Sequence, residues 1–158
     1  MVLVIPFFLL VRFNPFRYDR HIPLPYAQTA LGLLVFFFGL YLLVSTIRLF
    51  IVVGKGTLAP WDPTARLVVR GPYRRVRNPM IAGVLFMILG EAIFFGSTVL
   101  ATWCALFGVL NTIYFRLSEE PGLKKRFGDS YLEYRTNVPM WIPRIRPWDP
   151  PGRGNRKA

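Results

Sequence analysis

A chain of 158 residues is the size of a single domain. Its net charge of +12, from 20 lysines and arginines against 8 acids, would suit a nucleic-acid binder, but 53% of the residues are hydrophobic and 16% aromatic. The charges also avoid long stretches entirely: residues 29–47, 79–90 and 92–115 carry none. Such runs belong in lipid. Nucleic acid is therefore excluded as a partner, and a small, basic, polytopic membrane protein is expected, with the lipid bilayer as its surroundings. A single cysteine, Cys104, lies in an apolar run and excludes a disulfide scaffold or a cysteine zinc site. A single histidine, His21, excludes a histidine-based metal centre, so no metal site is expected.

In chain order, residues 1–11 are apolar but short and interrupted by Pro6. No basic segment precedes them and no small-residue cleavage site follows, so they read as a curtailed membrane helix rather than a signal peptide. Residues 29–53 would rise about 37 Å as a helix, enough to cross with tilt, and end at the stop Gly54-Lys55-Gly56-Thr57. Apolar segments over 80–95 and 98–115, each about 24–27 Å long as helix, flank Gly96-Ser97 and predict a tight helical hairpin. Residues 117–135 predict a short amphipathic helix broken near Gly128, with Leu123, Phe127, Tyr131 and Tyr134 at helical spacing. Pro139, Pro143, Pro147, Pro150 and Pro151 prevent further regular structure.

The expected fold class is all-α: a polytopic membrane helical bundle of about four membrane segments, with a cytoplasmic amphipathic helix and a basic tail. Residues 1–143 form one domain with its core at 29–143, and the Pro/Gly-rich residues 144–158 are expected to be disordered.

Charge placement orients the bundle. The 54–78 segment carries Lys55, Arg66, Arg70, Arg74, Arg75 and Arg77 against Asp62, and the chain after residue 115 carries twice as many basic as acidic residues. The 12–27 loop has only Arg12, Arg17 and Arg20, against Asp19. The positive-inside rule then puts the central loop, the tail and both termini in the cytoplasm of an integral, multi-pass inner-membrane protein. Because a hairpin starts and ends on one side, two polar clusters must meet there: Gly71-Pro72-Tyr73-Arg74-Arg75-Val76-Arg77-Asn78-Pro79 before it, and Arg116-Leu117-Ser118-Glu119-Glu120 after it. Carboxylates beside an arginine-rich strip over an apolar bundle suit a ligand with a cationic, hydroxylated part and a lipid-soluble one.

Gly71-x-Tyr73, Arg77-Asn78-Pro79 and Gly83, then Glu119-Glu120-x-x-Leu123-x-x-x-Phe127-Gly128-x-x-Tyr131-x-x-Tyr134 and Pro139, resemble the isoprenylcysteine carboxyl methyltransferase family. The related phospholipid N-methyltransferases share that core. The resemblance covers residues 29–143. It implies an integral membrane methyltransferase that binds S-adenosyl-L-methionine at the cytoplasmic mouth of the bundle. By position, it implies that Leu67, Val68, Tyr73, Asn78, Pro79, Met80 and Ile81 hold the cofactor together with Glu119 or Glu120. It also implies that Arg116 approaches a small or lipophilic methyl acceptor, making Arg116 and Tyr73 the catalytic candidates. The family turn commonly reads Arg-His-Pro-x-Tyr, and here Asn78 and Ile81 replace the His and the Tyr.

The chemistry can be argued separately. A carboxylate accepts hydrogen bonds from ribose hydroxyls and offsets a sulfonium charge, which suits Glu119 and Glu120. Tyr73 offers a ring face to a cation, and Asn78 offers both a donor and an acceptor. With no His in the pocket, only Glu119, Glu120 and Tyr73 could serve as a base, which favours a carboxylate or thiol acceptor over an amine lipid. Two other readings compete: a sterol- or polyprenol-type membrane reductase binding a nicotinamide dinucleotide, and a non-catalytic protein whose basic faces recruit anionic lipid or a partner. Elsewhere, Arg74 and Arg75 are read chiefly as topology determinants that touch anionic headgroups, a role also open to Arg77. Glu91, the one acid inside an apolar run, is read as solvated at the far interface, and Asn111 and Thr112 as interhelical hydrogen bonders.

Overall fold

The computed structural model describes Phe8, residues 24–54 and residues 67–150. The rest of the apolar 1–11 segment, the loop with His21, the residues after Gly54 up to 66 and the tail beyond Pro150 lie outside the described residues. Every regular element among the described residues is helical: α1 (Leu24–Gly54), a 3-10 turn (Gly71–Arg74), α2 (Pro79–Phe95), α3 (Thr98–Tyr114), a π-helical turn (Phe115–Glu119), α4 (Glu120–Phe127) and α5 (Asp129–Asn137). Two stretches are long and apolar enough to cross a bilayer, Tyr26–Val53 and Thr98–Phe127, while α2 is apolar but shorter. The residues group into two compact units, residues 1–41 with 81–113 and residues 42–80 with 114–158.

In the first unit, glycines let α1 and α2 approach closely. A Cβ added at Gly32 would lie 2.7 Å from the Phe94 nitrogen, at Gly39 2.6 Å from the Gly83 oxygen, and at Gly90 2.5 Å from the Phe36 nitrogen. These obstacles are backbone, so no rotamer change relieves them. Gly90→Val is therefore expected to destabilise the detergent-solubilised protein by about 1–3 kcal/mol or more. Gly108→Ala, whose nearest neighbour is the Leu85 side chain at 3.5 Å, should leave the denaturation midpoint unchanged or raise it, since alanine favours helix.

The hairpin turns where expected. Gly96 takes φ +59°, the Ser97 N–H donates to the Ala92 carbonyl at 2.9 Å, and the Ser97 hydroxyl accepts from the Leu100 N–H at 3.3 Å. Gln28 Nε2 donates to the Ile93 carbonyl at 2.6 Å, tying α1 to the end of α2. Asn111 and Thr112 do not bridge helices as expected. They donate to the carbonyls of Phe107 and Gly108 on their own helix, which satisfies a half-buried polar group locally. Glu91 is half-buried in an aromatic recess with Phe36, Phe94 and Phe95.

In the second unit, the π turn runs directly into α4. Pro121 explains the widened turn: it has no N–H to donate four residues back and its ring crowds the Leu117 carbonyl, which the extra residue per turn accommodates. Gly128 ends α4 at φ +53°, ψ −131°, a conformation that favours glycine, and α5 begins at once. Tyr131, Tyr134 and Val138 pack with Val69 as a buried core, flanked by Leu67, Leu123, Phe127 and Trp148. The predicted tyrosine stripe is thus the unit's apolar core. The tail, expected to be disordered from residue 144, is fixed as far as Pro150: the Arg144 N–H donates to the Arg75 carbonyl and the Trp148 N–H to the Arg74 carbonyl, each at 2.9 Å. Arg74 also donates to the Trp148 carbonyl and pairs with Asp149. Arg74 therefore holds the tail strap as well as adding positive charge.

Candidate active site

The site lies within the second unit and starts from the 3-10 turn. Gly71 takes φ +54°, and Pro72 opens the turn with its backbone angle already set. The carbonyl of Arg70 accepts from the Tyr73 N–H at 3.1 Å, and that of Pro72 from the N–H groups of Arg75 and Val76. This turns the Tyr73 ring inward, where it is buried against Phe50 at a ring separation of 6.1 Å. The buried Tyr134 hydroxyl donates to the Tyr73 carbonyl at 2.7 Å and fixes the turn to α5. Asn78 is buried next in the chain, and Pro79 opens α2, where a missing N–H costs nothing.

These residues line a cavity of about 70 Å³ together with Leu67, Val68, Met80, Glu119, Arg77, Tyr131 and neighbouring aromatics. Six of the sequence-derived candidates therefore meet: Leu67, Val68, Tyr73, Asn78, Met80 and Glu119. Pro79 is buried but does not line the cavity, nor does Ile81. Arg116 and Glu120 line a different, larger cleft of about 470 Å³ with Arg77, Pro121, Lys124 and Arg135. Successive helical positions point about 100° apart, so the adjacent glutamates serve different cavities.

Glu120 is 5% exposed and bound on both oxygens: Arg77 Nη1 lies 2.5 Å from Oε1 and Arg135 Nη2 3.2 Å from Oε2. Arg77 is itself 90% buried at its side chain and borders both cavities. The sequence leaves the role of Arg77 open between setting topology and serving the site. The place of Arg77 directly before Asn78-Pro79 was the available sign of the second role. Arg77 Nε and the Tyr131 hydroxyl are buried at the first cavity without a hydrogen bond of good geometry, and the Arg77 guanidinium lies close enough to the Tyr131 hydroxyl to interact with it.

A family profile, "Phospholipid methyltransferase", matches residues 27–130, well over half of the sequence. The chain belongs to the phospholipid methyltransferase family. Among curated proteins, it is similar to methanethiol S-methyltransferase 2 of Bradyrhizobium diazoefficiens, with 33% identity over 76 residues. That stretch is 46% of this chain and 27% of the relative, so the match spans about a quarter of the relative's length. No solved structure matches. The family's name is that of methyltransferases, and two helices among the described residues are, by length and composition, long and apolar enough to span a bilayer.

Three phenols of this family member are held neutral. Burial raises the Tyr73 phenol well above its ordinary value and the Glu119 carboxylate raises it further. Burial likewise raises Tyr134 and Tyr131. Because the folded values lie above the unfolded ones, the stability these groups contribute is complete below the ordinary tyrosine value near pH 10 and is lost as pH rises past it. Alkaline titration of the phenolate absorbance should show these tyrosines ionising only as the second unit unfolds. Ionisation in the ordinary range with the fold intact would contradict their burial.

Proposed function

We propose that the chain is an S-adenosyl-L-methionine-dependent methyltransferase whose cofactor is held by Tyr73, Asn78, Met80 and Glu119 with the Leu67-Val68 stretch. The supporting observation is one cavity that combines an aromatic face, an amide, a carboxylate and a guanidinium. The donor set fits the group. Glu119 offsets a sulfonium charge or accepts from ribose hydroxyls, the Tyr73 face stacks against a cation, and Arg77 Nε and the Tyr131 hydroxyl meet an anionic end. The enclosed 70 Å³ is well below the ~300–1,000 Å³ of a drug-sized site, so it takes one end of the molecule, with the remainder outside. When bound, the cofactor supplies an activated methyl group, and the protein's contribution is positioning.

The acceptor follows from which bases remain. Glu120 is committed to two arginines, and Tyr73 keeps its proton. Glu119 is then the one lining carboxylate free to take a proton, and the lining includes no histidine. A carboxylate acceptor arrives ionised, and a thiol ionises about two units below an alkylammonium. A small or lipophilic carboxylate or thiol is therefore preferred over an amine lipid, and the Bradyrhizobium relative's name points the same way. Arg116 in the larger cleft would meet that acceptor. The site faces the cytoplasm in a multi-pass bundle of about four segments, following the basic-residue count.

Incubating membranes that carry the protein with methyl-labelled cofactor and an alkanethiol, a fatty acid and phosphatidylethanolamine tests this choice. The label is expected in thioether or ester. Label in amine lipids alone would overturn the acceptor assignment. One observation bears on the reductase: Arg116 and Lys124 line the larger cleft beside the Arg77–Glu120–Arg135 cluster, which leaves a net positive lining for a polyanionic dinucleotide.

A further inference from the structure

We propose that the 139–148 strap is a bilayer-docking surface that inserts Ile142 and Ile145 into the interface of an anionic membrane. Among the described residues these two are unusually bare, Ile142 79% exposed and Ile145 93%. Their exposure is built in rather than a consequence of a loose chain. The strap runs antiparallel to residues 74–77 and is tied to them by backbone hydrogen bonds from Arg77 N–H to the Pro139 carbonyl, Arg144 N–H to the Arg75 carbonyl and Trp148 N–H to the Arg74 carbonyl, each 2.9 Å. Pro143 and Pro147 stiffen it further. A rigid loop that holds two β-branched aliphatics in water loses hydration free energy unless something apolar receives them.

Charge selects the receiver. Arg146 lies beside Ile145 in sequence, and Arg75 is tied through its carbonyl to Arg144; both are exposed, and no acidic partner is found for either among the described residues. Aliphatic side chains with unpaired guanidinium groups beside them match acyl chains beneath anionic headgroups, and half-buried Trp141 suits the level between them. A second copy of the chain would bring its own arginines to the same place and be repelled.

The test uses the full chain in lipid nanodiscs of phosphatidylcholine with or without phosphatidylglycerol. In a Cys104→Ala background, a spin label is placed at Ile145→Cys or, as a control, at exposed Glu133→Cys. Oxygen and an aqueous nickel chelate then report depth by power saturation. The label at 145 is expected about 5–10 Å below the phosphates in anionic discs, shallower in neutral discs and shallower with Arg146→Glu, while the label at 133 stays aqueous. Three outcomes would overturn the proposal: nickel access at 145 equal to that at 133, a depth indifferent to anionic lipid, or spin–spin broadening that disappears on dilution with unlabelled protein, which marks a second copy.

Discussion

Arg77→Met is expected to lower the stability of the detergent-solubilised protein by about 3–5 kcal/mol, the usual cost of leaving a buried charge without its partner. The stranded group is Glu120, 5% exposed, whose other contact is the half-exposed Arg135 at 3.2 Å. Arg135 is screened by water and recovers little of the loss. Arg77→Lys should fall between, because one ammonium cannot reproduce the guanidinium fork. The double change Arg77→Met/Glu120→Met should regain most of the stability, since apolar replacement of a buried pair is often neutral or better. Denaturation midpoints of the parent, Arg77→Met, Glu120→Met and the double variant form a double-mutant cycle. A single Arg77→Met variant as stable as the parent would show that the pair does not hold the unit together.

Glu119→Gln is expected to weaken S-adenosylhomocysteine binding about 10–100-fold, from the ~1.5–3 kcal/mol carried by a hydrogen bond to a charged group, with little change in the denaturation midpoint. Glu120→Gln should do the reverse, lowering the midpoint and affecting binding less. The contrast is informative because the two residues are neighbours in sequence: Glu119 lines the small cavity with Tyr73 and Asn78, while Glu120 is locked between arginines. Equal effects of the two substitutions on binding would contradict the separation of the cavities.

Much of this was legible in the sequence because apolarity and glycine placement carry it. The hairpin followed from two apolar runs around Gly96-Ser97, the helix break from Gly128, and the second unit's core from Tyr131 and Tyr134 at helical spacing. The fixed tail was not legible, because residues 144–150 are held largely by backbone hydrogen bonds to Arg74 and Arg75, which leave no side-chain pattern to read. Nor was the division of labour between Glu119 and Glu120, which depends on helix phase near a π turn that Pro121 imposes. Arg77 was obscured because a basic residue beside a membrane segment already has a topological explanation, and its burial appears only in three dimensions.

The central claim, that Tyr73, Asn78 and Glu119 together form a cofactor site, is tested most directly by calorimetric titration. The purified full chain is titrated with S-adenosylhomocysteine and, separately, with a nicotinamide dinucleotide. Saturable binding of the first, weakened by Glu119→Gln and by Tyr73→Phe, with no heat from the second, is the predicted result. Binding of the dinucleotide alone would contradict it and move the function to the reductase reading.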